Sequence, residues 1–454
     1  MTRKVSAFIT AIILALTAIL SSCSNDSNEE LTKVDPQIVA TLKVMHYDEK
    51  HFFEQYGNFF TSKFPNVHLE VISTQFLFSV PRDKREAAYN NLIQEKQPDV
   101  IMLEERQMEA LVQEDALYRL DSVIKRDNFD MDNILPIVTE KLKNAGGGSL
   151  YGLAARFSSS AIYYNIDLFN QYNIDPPRDR MTWGELLELA QRFPTSGSET
   201  ERVYGFANSN TVSNSMANMV FSIGATEGLS YLSKDAKKVT MDTEQWKGIM
   251  EKVVKAYKSG AVNTSNEQGP SDLFMKDRIA MRFEGSFYYS QITAQDNKRE
   301  KPLNWGVVTV PVDPANPNVT HSFQINDLFS INAQSPNKSL AWEFIKFAAG
   351  EQVAQALSKT LNGSLSTRPA YVTNKNGEKL DAFYELTESR EYKRYDTLPP
   401  GFVLDVFIQR ALSSVIADEY TLDEAIKTIH DQGNELLNKL YEQQKLEKEE
   451  EAAK

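Results

Sequence analysis

Near the start of the chain, strand-like and helix-like runs alternate, and that alternation limits the fold more than any other feature. LKVMHY (42–47) and VHLEVIS (67–73) read as short strands, the second alternating apolar and polar as a half-buried strand does. Between them, HFFEQYGNFFTSKFPN places Phe52, Phe53, Tyr56, Phe59 and Phe60 at helical spacing. A third run, QPDVIMLEE (97–105), is continuously apolar in its middle and leads into a helical segment. Strand, helix, strand repeated in this way predicts a parallel-type α/β sheet.

Later segments mark their own ends. Thr182 and Glu185 form a capping box ahead of an apolar face made by Leu186, Leu189, Ala190 and Phe193. Thr243 opens a second helix, Thr421 with Glu424 a third, and Ser335-Pro336 predicts a helix start that runs to Gly350. Trp183, Trp246 and Trp342 fall on the apolar faces and read as core anchors. NWGVVTVPVDPANPN (304–318) reads as a buried strand that ends in a proline-rich turn.

The first 22 residues have a different design. Arg3 and Lys4 precede an apolar run from Val5 to Leu20, too short and too close to the start to span a membrane comfortably. The run closes on Leu20-Ser21-Ser22-Cys23, which resembles a bacterial lipobox, and Cys23 is the sole cysteine in 454 residues. The thiol is therefore read as a lipid acceptor, 1–22 as a signal peptide, and 23–36 as a flexible tether. A coil of that length reaches about 20 Å. The net charge of −13 repels phosphate backbones, so nucleic-acid binding is excluded as a general function. Five histidines, none paired at H-x-x-x-H spacing, give a metalloenzyme little to build with, and no cofactor is expected.

Four stretches, in order, carry a family resemblance: 151–191 (YGLAARFSSSAIYYNIDLFNQYNIDPPRDRMTWGELLELAQ), 273–287 (LFMKDRIAMRFEGSF), 304–314 and 331–350 (INAQSPNKSLAWEFIKFAAG). Together they resemble the family 1 extracellular solute-binding proteins of ABC importers, the group that includes maltose-binding protein. The resemblance implies a two-lobed, type II periplasmic-binding-protein fold: two parallel-type sheets, flanking helices and an interdomain cleft. Residues 37–152 and 285–329 would form the N-terminal lobe, and 153–284 and 330–454 the C-terminal lobe. Chain crossings are expected near 151–156, 281–285 and 328–331. The implied partners are a small solute, most of all a sugar, with lobe size favouring an oligosaccharide over a monosaccharide, and the permease subunits of an importer; a monomer is expected.

In open sheets of this type ligands bind beyond the carboxyl ends of the strands. Sugars need planar polar side chains for paired hydrogen bonds and aromatic faces for their apolar sides. Position then nominates Tyr47 and Asp48, Glu104 and Glu105, Arg156 and Phe157, Glu284, Ser286 and Phe287, and Asn326 and Asp327. Arg368 is nominated by the resemblance. Each has a structural alternative: Glu104 and Glu105 suit a helix N-terminus, and Arg156 and Glu284 suit an ion pair across the hinge. Three other functions compete: a lipoprotein glycoside hydrolase using Glu104 with Glu284, a receptor for a non-sugar solute, and a structural or adhesive lipoprotein, which would call for repeats or extended β patterning that the sequence lacks. No G-x-S-x-G elbow, P-loop or H-E-x-x-H motif is present.

Overall fold

The computed structural model describes residues 30–81, 84–198, 201–208, 215–263, 272–358, 364–371, 380–389, 398–399 and 401–452. Cys23, the signal segment and most of the tether lie outside the described residues. In chain order the strands are β1 (Ala40–His46), β2 (Val67–Ser73), β3 (Val100–Leu103), β4 (Gly152–Ser158), β5 (Ser160–Asn165) and β6 (Tyr204–Ala207). They continue as β7 (Ile279–Gly285), β8 (Trp305–Thr309), β9 (Val319–Thr320), β10 (Gln324–Ile331), β11 (Leu365–Ser366) and β12 (Glu388–Ser389).

Two principal sheets result, six-stranded in the order β11-β4-β10-β3-β1-β2 and four-stranded in the order β6-β7-β5-β8. Each is mixed rather than wholly parallel. In the first, β1 pairs parallel with β2 and β3, while β10 runs antiparallel between β3 and β4. In the second, β6 and β7 are parallel and β5 opposes both β7 and β8. The reversal follows from how the chain crosses. β4 ends at the carboxyl edge of the first sheet and passes through Ser159 straight into β5. A strand that enters a sheet at its carboxyl edge must run against the strands that end there. β10, entered from β8 by way of β9, is reversed for the same reason.

These crossings correct the expected boundaries. The first lies at Ser158–Ser160, just after the predicted interval. The second is not at 281–285: β7 and β8 both pair with β5, so 305–309 belongs to the second sheet and the chain crosses between Thr309 and Gln324. The third is not at 328–331 either, because the helix Lys338–Ala348 buries Leu340, Ala341, Phe344 and Ile345 in the core shared with β1, β3 and β10. That helix begins at Lys338 with Asn337 as its N-cap; two residues ahead, the Ser335 hydroxyl donates to Asp99 (2.6 Å) and accepts from Asn337 N (2.9 Å). The chain leaves the first sheet after β11, and 380–389 touches both lobes, with Phe383 beside Tyr163 of β5 and Tyr384 edge-on to Phe157 of β4.

The first core collects Phe52, Tyr56 and Phe60 from the helical segment after β1, against Phe329 and Phe344. Phe59, expected on that face, is exposed. A π-helical turn at Phe53–Gly57 widens the segment and brings Tyr56 over β10. The second core gathers the helices Trp183–Ala190, Ser215–Thr226, Glu244–Lys258 and Leu404–Ile416 around β6 and β7. Both predicted capping boxes are formed: Thr182 Oγ1 accepts from Glu185 N, and Thr421 Oγ1 accepts from Glu424 N. Among the described residues no helix is long and apolar enough to cross a membrane.

Candidate functional site

Strands β1, β2 and β3 end on one edge of the first sheet, and β6, β7 and β8 end on one edge of the second. Ser322, which leads into β10, joins the crossings at these edges: its Oγ accepts from Ser160 N (3.2 Å) and lies 3.2 Å from Ser159 Oγ. The two carboxyl edges are thus tied together where the chain passes between lobes.

On the first edge, exposed aromatic rings stand out. Tyr47, just past β1, is 38% exposed and meets Phe78 edge-to-face at 5.4 Å. Phe78 is 66% exposed and Phe76 48%, both in the 3-10 turn Gln75–Ser79 that follows β2. The Arg85 guanidinium covers one face of Phe78 at 5.9 Å. On the second edge Phe287, two residues beyond β7, is 60% exposed. Burying such rings away from water is favourable, and their exposure at strand ends makes them candidates for contact with a ligand. Tyr47 and Phe287 were nominated from sequence. Phe76 and Phe78 were not, although FLF in QFLFSVP directly after a strand is an apolar run with no alternation to bury it.

Most of the nominated charged residues are engaged by the protein itself. Arg156 Nε donates to Asp327 Oδ2 (2.8 Å), and Tyr56 Oη donates to the same oxygen (2.6 Å). Burial works against ionisation of Asp327, but Arg156, His46 and Tyr56 outweigh it and hold the carboxyl below its usual range. Burial also lowers the pKa of His46, the nearest imidazole, despite the opposing pull of Asp327. Asp327 has a left-handed backbone (φ 49°) inside a strand, a conformation Asp tolerates better than most residues. Glu284 accepts from Arg282, which also donates to Asp272 (2.8 Å).

Arg368 corrects its nomination most sharply. Only 2% exposed, it donates to the Ala349 carbonyl and to both the carboxylate and carbonyl of Asp130, and it covers the Phe129 ring. It fastens the helix Lys338–Ala348 to the first lobe and does not reach a cleft. Phe157 is likewise buried, stacked on Phe323 at 4.7 Å. Ser286 is buried, its amide donating to Ser159 O (2.7 Å). Asp48 caps the helix Glu49–Phe52, accepting from His51 N. Glu104 stays exposed at the N-cap of the helix Glu105–Gln113, with its amide donating to Gln107, and Glu105 pairs with Lys141 (2.9 Å). Asn326 is half-buried opposite Arg156, its amide bonded to Ser158 and Ile325.

A pocket of about 370 Å³ opens beyond the second edge and was not foreseen. Asn208 follows β6, Phe283 lies near the end of β7, and Val310 and Pro311 follow β8, so all three strand ends contribute. Trp183 and one face of the helix Ser215–Thr226 form a second wall, and residues 319–322 of the crossing close a third side. Trp183 lies 5.9 Å from Phe283, ring to ring. None of the described lining residues is Asp, Glu, Lys or Arg.

The model of a bacterial extracellular solute-binding protein family matches residues 78–383. The chain belongs to that family. A putative binding protein of Brucella abortus (strain 2308) is 28% identical over 210 residues, 44% of this chain and 46% of the relative, so the match spans about half the length of the curated relative. Among solved structures, a sugar transporter of Rhizobium etli in an open conformation superposes with a TM-score of 0.63 at 21% identity, over 87% of this chain and 99% of the other. The sugar-binding protein MalE of Xanthomonas citri gives 0.63 at 16% identity, over 88% and 97%. A substrate-binding protein of Listeria monocytogenes in complex with cycloalternan gives 0.59 at 18% identity, over 88% and 100%. These likenesses establish the two-lobed fold of this solute-binding protein.

Proposed function

We propose that the protein is the carbohydrate-receiving component of an ABC importer, closing its lobes around an uncharged sugar and presenting the closed form to a membrane permease. The observation that carries this reading is the set of exposed rings at the carboxyl edges of both sheets, Tyr47, Phe76 and Phe78 on one and Phe287 on the other. Aromatic faces suit the apolar sides of pyranose rings. The charged residues near those edges support the same reading, because Arg156 and Arg282 already hold carboxylates and leave little for an anionic solute. Relatives of the same fold are described as binding cycloalternan, maltose, tagatose and mannitol, all uncharged polyols. Closure supplies the signal, since a ligand that touches both lobes shifts the population toward the closed form.

A hydrolase built on Glu104 and Glu284 finds no support in their surroundings. Glu104 caps a surface helix, and Glu284 is engaged by Arg282. Attachment by a lipid on Cys23 belongs to the same proposal: an extracytoplasmic receptor needs an anchor or a closed compartment. Fractionation tests it, with Cys23→Ala moving the protein from membranes to the soluble fraction. Persistence on the membrane contradicts it.

A thermal-shift screen of mono- and oligosaccharides beside amino acids and organic anions tests the function. A ligand at a hundredfold excess over its Kd stabilises by about 2.7 kcal/mol. Stabilisation by an uncharged sugar is expected; stabilisation by the charged solutes alone contradicts the reading.

A further inference from the structure

The pocket beyond the second sheet has a chemistry of its own. Three aromatic side chains, Trp183, Phe221 and Phe283, line it together with Val310 and Pro311. Several of its polar groups face inward to the protein. Ser222 Oγ donates to Asn218 O (2.8 Å), and Thr226 Oγ1 donates to Ser222 O (2.9 Å). Thr226 Oγ1 also accepts from Trp183 Nε1 (3.0 Å), so the indole N–H is engaged and the ring contributes only apolar surface. On the crossing, Ser322 Oγ sits between Thr320 Oγ1, Ser159 Oγ and Ser160 N. Hydroxyls bonded back to the protein in this way offer little to a densely hydroxylated ring, whose own hydroxyls would lose water without gaining partners.

The described walls carry no Asp, Glu, Lys or Arg to hold an ionised guest, and the one titratable side chain on them is the His321 imidazole. The volume, about 370 Å³, lies near the lower end of the roughly 300–1,000 Å³ usual for organic ligand sites, enough for a ring and its linkage. The amides of Asn208 and Asn218 and the imidazole of His321 are the polar side chains on the walls suited to orienting such a guest.

We propose that this pocket receives the apolar end of a neutral glycoside, an aryl aglycone, while the sugar ring lies against the exposed aromatics at the sheet edges. The assignment rests on the carbohydrate reading above and narrows it: the ligand is amphipathic, a sugar at one end and an aromatic ring at the other. Ala225, on the pocket wall, is the position at which a larger side chain would occupy the space.

Calorimetry on the purified protein with matched methyl and phenyl glycosides of glucose, galactose, mannose and xylose tests it. For at least one sugar the phenyl glycoside binds about tenfold or more tighter than the methyl glycoside, a factor equivalent to about 1.4 kcal/mol. Ala225→Phe removes that gain. A nitrophenyl glycoside quenches tryptophan fluorescence in the unaltered protein, and Trp183→Phe abolishes the quench, a readout that does not depend on Ala225→Phe folding. Phenyl glycosides no tighter than methyl glycosides overturn the pocket assignment and leave the carbohydrate reading standing. A phenyl gain that survives Ala225→Phe, or one without quenching, also overturns it. Binding of no glycoside at all overturns both.

Discussion

Each sheet holds an arginine, an aspartate and a tyrosine in one buried cluster, yet the two clusters are wired differently. In the first lobe Arg156 comes from β4, Asp327 from the reversed strand β10 and Tyr56 from the π turn, so the cluster spans 271 residues of sequence. In the second lobe Arg282, Asp272 and Tyr288 lie within 16 residues of one another, with Tyr288 Oη donating to Asp272 (2.8 Å) and the guanidinium 4.7 Å from the Tyr288 ring. Asp327 has a single guanidinium partner. Among the described residues Arg282 has two carboxylates, Asp272 and Glu284. The first cluster pins the strand that returns from the other lobe, so it governs long-range order. The second is a local brace with a spare acceptor.

That difference sets a ranking. Arg156→Ala strands a buried carboxylate on β10 and is expected to cost about 3–5 kcal/mol in urea unfolding. A cost below about 1 kcal/mol would remove the cluster's structural role. Asp272→Ala leaves Arg282 with Glu284 and is expected to cost about 1–3 kcal/mol. Adding Glu284→Ala to it should cost more than the two single changes summed, because only then does the buried guanidinium lose both described carboxylates; simple additivity would contradict the spare-acceptor account.

The first cluster also predicts an acid response. His46 packs against Phe52, Tyr56 and Phe329, with Asp327, Asp48 and Arg156 as its charged neighbours. Burial lowers its pKa, so below about pH 6.5 the unfolded chain binds more protons than the folded one. Its contribution is therefore whole above that pH and is lost as pH falls toward the folded-state value. Asp327, also lowered, adds a further loss below about pH 3.9. Denaturant midpoints should fall between pH 7 and pH 5 in the native protein, and His46→Phe should flatten that interval. An unchanged slope in the variant would reassign the response. Smallest of all, Glu104→Gln at the exposed helix cap should change stability by less than about 0.5 kcal/mol, checked in the same unfolding series.

Local chemistry was legible in the sequence. The capping boxes at Thr182 and Thr421, the parallel opening β1–β2 and the buried tryptophans follow from spacing and short-range bonding. Position at strand ends also placed Tyr47 and Phe287, both exposed just past β1 and β7, because it needs only the sheet's direction. It misjudged Arg156, Asp327 and Arg368, whose partners lie 171 and 238 residues away and are invisible to any local window. The pocket escaped for a related reason: it is assembled from three strand ends, a helix face and a crossing strand, none of which carries a motif. The lobe boundaries slipped where a strand enters from the carboxyl edge and joins a sheet out of sequence order, as β5 and β10 do.

The central claim is that two lobes close on an uncharged solute at their joined edges. Small-angle scattering with and without a sugar that raises the melting temperature tests it most directly. A smaller radius of gyration on saturation is predicted, absent with solutes that do not stabilise. A profile unchanged at saturation would contradict it.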